Sequence, residues 1–122
     1  MKILVVDDEM DTRVLFEQRF RKLIRSGELA FAFAYSGEEA LAYLSDHNSE
    51  TVLILSDINM PGMSGLELLK IIKSDFVPPP RRVLMITAYS DSDNYREAMD
   101  LGADDFLTKP LDFKLLEEKL IK

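Results

Sequence analysis

Leu53-Ile54-Leu55-Ser56-Asp57-Ile58-Asn59-Met60-Pro61-Gly62-Met63-Ser64-Gly65 is the stretch on which the architecture turns. The apolar run from Val52 to Leu55 has the pattern of a short strand buried on both faces. It ends at a carboxylate, Asp57, and Pro61-Gly62 then turns the chain toward a new helix. In open parallel sheets, functional groups collect at the carboxyl ends of strands, beside the point where strand order reverses. A strand-end aspartate standing alone is usually a turn former or a helix cap. The rest of the chain decides whether Asp57 is more than that.

Working outward, Ile3 to Val6 is apolar throughout and reads as a central parallel strand, stopping at Asp7-Asp8-Glu9. A helical pattern follows, with Met10, Val14, Phe16, Phe20, Leu23 and Ile24 on one broad face, Leu15 off it, and Gly27 closing the helix. Leu29 to Tyr35 reads as a second strand. Ser36 and Glu39 form a capping box before a short helix carrying Ala40, Leu41, Tyr43 and Leu44. His47-Asn48-Ser49 is expected as a polar loop, with His47 in solvent.

Ser64 and Glu67 form a second capping box, opening a helix with Leu68, Leu69, Ile71 and Ile72 on its apolar face. Pro78-Pro79-Pro80 separates it from a fourth strand, Val83 to Thr87. A helix with Tyr95, Ala98, Met99 and Leu101 ends at Gly102. Asp105 to Thr108 is a fifth strand, and Lys109-Pro110 leads to a last helix with Phe113, Leu115, Leu116, Leu120 and Ile121. Strand and helix alternate five times with short connections, which predicts an α/β fold: a parallel sheet with helices on both faces. The 122 residues are expected to form one domain, with no output module after the last helix.

Composition narrows the function. The net charge of −7 and the lack of a basic run argue against direct nucleic-acid binding. The absence of cysteine excludes disulfide and thiol chemistry and agrees with a reducing compartment. The N-terminal apolar run is too short for a signal peptide, and no stretch is long enough to span a membrane. A cytoplasmic domain without membrane contact is the expectation.

Polar groups stand at four strand ends: Asp7 and Asp8, Asp57, Thr87, and Lys109. In a doubly wound sheet of order 2-1-3-4-5, the first and third strands flank the switch point, so the three acids would crowd into one crevice. Crowded carboxylates raise one another's pKa, and a hard divalent cation with oxygen ligands, Mg²⁺, relieves the repulsion. With a lysine and a hydroxyl at the same edge, the set suits a dianionic phosphoryl group.

Asp7-Asp8, the Asp57–Gly65 stretch, Thr87-Ala88 and Lys109-Pro110 together resemble the receiver domain of two-component response regulators, the CheY-like phosphoacceptors, over nearly the whole chain. Each motif is weak alone; their order and spacing are specific. The resemblance implies a flavodoxin-like (βα)5 fold in which Asp57 accepts a phosphoryl group from a histidine kinase or phosphotransfer protein. Asp8, Asp57 and the Asn59 backbone carbonyl would bind Mg²⁺, with Asp7 acting through water. Thr87 and Lys109 would contact phosphoryl oxygens, and the small Ala88 would leave the group room. Phe106 would be the aromatic that moves with Thr87. Asn59 and Tyr89 would tune the lifetime of the phosphoryl group, and the Lys109–Pro110 bond would be cis. The fourth helix, fifth strand and fifth helix would present the switch to an output domain or downstream protein, as a monomer or a phosphorylation-dependent dimer.

Other readings fit less well. A receiver fold serving only as an interaction module would usually lack one of the acids, the threonine or the lysine, and all are present. An aspartyl phosphohydrolase needs a second acid two residues after its nucleophile, where this chain has Asn59. A flavin protein of this architecture would carry a Ser/Thr/Gly-rich phosphate loop after the first strand, where this chain has Asp7-Asp8-Glu9.

Overall fold

The computed structural model describes residues 1–47, 51–75, 82–87 and 92–121. Strands β1 (Lys2–Val6), β2 (Ala30–Ala34), β3 (Thr51–Asp57), β4 (Arg82–Thr87) and β5 (Asp105–Thr108) form one sheet. All pairings are parallel, in the order β2-β1-β3-β4-β5. Helices α1 (Asp11–Arg19), α2 (Arg21–Arg25), α3 (Gly37–His47), α4 (Gly65–Asp75), α5 (Ser92–Asp100) and α6 (Phe113–Ile121) connect them. The predicted α/β class and strand order are those observed. No helix among the described residues is long and apolar enough to cross a membrane.

Two cores lie on opposite faces of the sheet because successive strand residues point opposite ways. Leu4, Val6, Ile54 and Met85 face α3, α4 and α5, meeting Ala40, Leu44, Leu68, Leu69, Ile72 and Ala98. Ile3, Val5, Leu53, Leu55, Leu84 and Ile86 face the other way, onto Phe16, Phe20, Leu116 and Leu120. Strands buried on both faces need continuous apolar runs, which is the pattern of Ile3–Val6 and of β3. Each fully buried aliphatic side chain contributes about 1.5–3 kcal/mol.

Several local expectations are corrected. The first helix is two segments, α1 and α2, meeting at Phe20, whose φ of −108° and ψ of 20° leave the helical region. The break coincides with burial of the Phe20 ring against Phe16, Phe31 and Phe113. Met10 and Val14 do not share the buried face: both are exposed, as is Leu15. Val14 and Phe16 are two residues apart, about 200° around a helix, so burial of one turns the other outward. Tyr95, Met99 and Leu115, expected on apolar faces, are likewise exposed. His47 is no loop residue; it ends α3 half-buried, its ring stacked on Tyr43 at 4.2 Å.

The serine half of both expected capping boxes forms: the Glu39 N–H donates to Ser36 Oγ and the Glu67 N–H to Ser64 Oγ, opening α3 and α4, while the Glu39 carboxylate accepts from the Tyr35 N–H one residue before the cap. Gly27 and Gly102 adopt positive φ after their helices, the left-handed conformation that glycine alone adopts without steric cost.

Candidate phosphoryl-transfer site

The carboxyl edge of the sheet gathers the polar strand ends. Asp7 follows β1 directly, Asp57 is the last residue of β3, Thr87 the last of β4, and Lys109 the first after β5. Register brings these ends level: Val6 lies beside Ser56, Asp57 beside Ile86, and Thr87 beside Thr108. A parallel sheet aligns all its carboxyl ends on one side, so the chemistry collects there without any long loop.

Asp7, Asp8 and Asp57 each offer a carboxylate oxygen, all within 4.8 Å of one another; Asp7 and Asp57 are buried and Asp8 is exposed. Lys109 Nζ reaches Asp57 Oδ2 at 3.0 Å, Asp7 Oδ2 at 3.4 Å and Glu9 Oε1 at 3.9 Å. Asp57 Oδ1 accepts from the Asn59 N–H at 3.1 Å. Both oxygens of the carboxylate are therefore held, and its position is defined from two sides.

The electrostatics of the pair are uneven. Burial pushes the Asp57 carboxyl above its ordinary pKa, against the hydrogen bond and charge of Lys109 and the Asn59 N–H; the charge of Asp7 adds to the rise. Burial alone would lower the Lys109 ammonium, but its hydrogen bond and charge contact with Asp57, then Asp7 and Glu9, hold it above its ordinary value. The more deeply buried carboxyl loses more hydration than the quarter-exposed ammonium.

Lys109 meets three carboxylates, Asp7, Glu9 and Asp57, and Asp8 adds a fourth to the cluster. The excess negative charge and the all-oxygen donor set fit a hard divalent cation, the kind of ion that receiver domains typically bind through acidic residues. An ion there would meet two buried carboxylates and one exposed one.

The remaining predicted residues fall around this cluster. Thr87 is fully buried, and its carbonyl accepts from the Lys109 N–H at 2.7 Å. The Asn59 side chain is exposed at the mouth, and its Nδ2 donates to Thr87 Oγ1 at 3.3 Å. The Lys109–Pro110 bond is cis. Phe106 is half-buried on β5, packed against the core on the α5 side and edge-on to Tyr95 at 5.3 Å. Ala88 and Tyr89 lie outside the described residues.

One participant and one contact were not foreseen. Thr12, in the first turn of α1, donates to Asp7 Oδ2 at 3.0 Å, while the Glu9 N–H holds Asp7 Oδ1 at 2.9 Å. A threonine five residues after an aspartate carries no distinguishing mark in sequence. The Asn59–Thr87 contact joins residues 28 apart in the chain, and nothing local announces it.

The turn from β3 into α4 keeps Asp57 at the edge. Gly62 has φ of 75°, and the Gly65 N–H donates to the Ile58 carbonyl at 2.9 Å. A Cβ on Gly65 would lie 2.1 Å from the Asp57 carbonyl oxygen. Only glycine lets the start of α4 come this close to the residue that ends β3.

The chain matches the family model of the response regulator receiver domain over residues 3–121. It is 35% identical over 122 residues to the chemotaxis protein CheY of Pseudomonas aeruginosa, covering all of this chain and 94% of that one. It is 38% identical over 120 residues to the transcriptional regulatory protein ZraR of Salmonella typhimurium, covering 98% of this chain but only 25% of that protein. The chain thus spans about a quarter of the length of that regulator. Among solved structures, the CheX–CheY–BeF3–Mg²⁺ complex of Borrelia burgdorferi aligns with a TM-score of 0.85 at 28% identity, over 99% of this chain and 87% of that one. In fold and in sequence over nearly its whole length, the chain belongs to the receiver domain family of two-component response regulators.

Proposed function

We propose that Asp57 is the phosphoacceptor of a phosphorylation-controlled switch, within a single receiver unit over residues 1–122. The observation that carries this is the Lys109 Nζ at 3.0 Å from a buried Asp57 carboxylate that shares its crevice with Asp7 and Asp8. An Asp57 oxygen attacks the phosphorus of a phosphohistidine on a sensor kinase or phosphotransfer protein. The P–N bond breaks as the P–O bond forms, and the imidazole nitrogen keeps the electron pair. Such transfers ask a protein mainly for positioning and charge neutralisation. Lys109 supplies a fixed positive charge, Asn59 N–H orients the carboxylate, and Thr87 offers a hydroxyl at the same edge. Asp8, Asp57 and the Asn59 carbonyl would hold Mg²⁺, with Asp7 acting through water; bound there, the ion supplies further charge neutralisation for the dianionic phosphoryl group. The domain is a regulatory protein whose only catalysis is of its own phosphorylation and dephosphorylation, and Asn59 and Tyr89 set the lifetime of the product.

New charge on Asp57 draws Thr87 toward it and shifts the population between two states, with Phe106 following Thr87. α5, β5 and α6, the expected fourth helix, fifth strand and fifth helix, carry that change to an output domain or a separate protein in the cytoplasm. Exposed Tyr95, Met99 and Leu115 on α5 and α6 give that region apolar contact surface.

Intact mass after incubation with phosphoramidate, with and without Mg²⁺, tests the proposal on the native chain and on Asp57→Ala. The expected result is one added phosphoryl group that requires both Mg²⁺ and Asp57. A folded native chain that binds Mg²⁺ yet gains no mass would turn the reading to a phosphorylation-independent interaction module.

A further inference from the structure

We propose that the Asn59 side chain is a resting-state latch on Thr87, setting the bias of the switch before any phosphoryl group arrives; the inference rests on the phosphoacceptor reading of Asp57. The Asn59 Nδ2 donates to Thr87 Oγ1 across 3.3 Å, joining the loop after β3 to the end of β4. Both partners are anchored through their backbones. The Asn59 N–H donates to Asp57 Oδ1 at 3.1 Å, and the Thr87 carbonyl accepts from the Lys109 N–H at 2.7 Å. The tethered strand end leaves the Thr87 hydroxyl as the part that reorients, by rotation about χ1. Thr87 is fully buried while the Asn59 side chain is exposed, so the contact is part-buried, with its acceptor on the protected side.

A hydroxyl has one proton and two lone pairs, and an amide nitrogen has two protons. In the resting arrangement one Thr87 lone pair takes an Asn59 proton. A phosphoryl group on Asp57 is an ionised acceptor and competes with this arrangement for the Thr87 hydroxyl, whose proton it takes in a hydrogen bond. Charge-assisted hydrogen bonds are roughly twice as strong as neutral ones, so the phosphoryl group draws the two partners from each other. Until then, the latch holds the hydroxyl in place and opposes switching by the worth of one neutral hydrogen bond, about 2- to 10-fold in population. Asn59 is in this sense a positioning residue that acts through Thr87.

The test is a titration of the whole chain with beryllium fluoride in saturating Mg²⁺, a phosphoryl stand-in that does not turn over, followed by NMR of the Phe106 and Tyr95 rings. Asn59→Ala is expected to bind about 2- to 10-fold tighter, with ring signals of the unliganded variant displaced toward their bound positions. In a Thr87→Val background, which removes the hydroxyl and keeps the shape, the same change should alter affinity by less than about 2-fold. An equal gain in both backgrounds, or no gain in either, would overturn the latch while leaving Asp57 as acceptor. A wild-type chain that takes up no beryllium fluoride would overturn the phosphoacceptor reading and the latch with it.

Discussion

Replacing Gly65 with alanine puts a methyl carbon 2.1 Å from the Asp57 carbonyl oxygen, 2.7 Å from the Ile58 Cα and 2.8 Å from the Asp57 carbonyl carbon. All three neighbours are backbone, so no side chain can swing aside. A carbon–oxygen contact needs roughly 3.3 Å, and the start of α4 must part from the end of β3 by about 1 Å to provide it. That separation strains the Gly65 N–H bond to the Ile58 carbonyl, now 2.9 Å, whose loss costs about 1 kcal/mol. Overpacking adds about 1–3 kcal/mol, and the better helix propensity of alanine returns about 0.5–1 kcal/mol. The net expectation is a loss of about 1–3 kcal/mol, or a fall in Tm of roughly 4–12 °C for a domain of this size. The same movement displaces the Asp57 carboxylate from Lys109, and a misplacement of about 1 Å can slow a positioned reaction by about 100-fold. Urea and thermal unfolding by circular dichroism, with a phosphoramidate time course by intact mass, measure both effects. Gly27→Ala is the control: its φ of 83° is strained for alanine, yet nothing lies within 4 Å of the added carbon. It should lose stability and keep the phosphorylation rate. A Gly65→Ala chain with the wild-type unfolding midpoint and time course would refute the claim that this close approach is rigid.

Two further expectations concern β5 and its approaches. Asp104 Oδ2 accepts from the Val83 N–H at 2.7 Å, and Val83 is fully buried. Asp104→Ala should therefore cost about 1–3 kcal/mol by leaving that donor unpaired, while Asp104→Asn, which keeps an acceptor, should cost less; equal losses in urea unfolding would contradict this. For Asp105, burial alone would raise the carboxyl pKa, but the hydrogen bond and charge of Lys119, with the Phe106 N–H and the charge of Arg82, hold it below its ordinary value. An acid depressed in the folded state stabilises above its unfolded pKa and loses that contribution as pH falls through the folded value. Lys119→Met should thus lower stability at pH 7 by less than about 1 kcal/mol, since both partners are partly exposed, and the gap should close as pH drops below about 4; a gap that widens in acid would exclude the pair as its source.

The sites most legible in the sequence were those governed by neighbours along the chain. Ser36 and Ser64 announced the starts of α3 and α4 because a cap needs only a hydroxyl and the N–H three residues on. Gly27 and Gly102 announced two helix ends because only glycine takes a positive φ there without cost. The faces of α1 and α5 were less legible. Periodicity gives the direction of an apolar stripe, but neighbouring elements decide how much of it is covered. Val14 and Tyr95 were left outside for that reason. Phe20 broke its helix while entering an aromatic cluster assembled from β2 and the last helix, which no local pattern encodes.

For the site itself, alternation of apolar runs with amphipathic helices was enough to specify a parallel sheet, and a parallel sheet puts every strand's carboxyl end on one edge. Asp7, Asp8, Asp57, Thr87 and Lys109 were therefore bound to be near one another once the strand order was known. Which atoms meet was decided by the tertiary structure alone. The reach of Lys109 to three carboxylates, the Thr12 hydroxyl on Asp7 and the Asn59 amide on Thr87 depend on side-chain directions and ångström-scale spacing between segments distant in sequence. Hydrogen bonds and ion pairs fall away within about 1 Å of their optimum, whereas sequence patterns place elements only to within a residue or two. The sequence by itself determined the architecture and which strand-end residues share the site; the packing of those four strand ends and their loops determined its geometry and brought in Thr12.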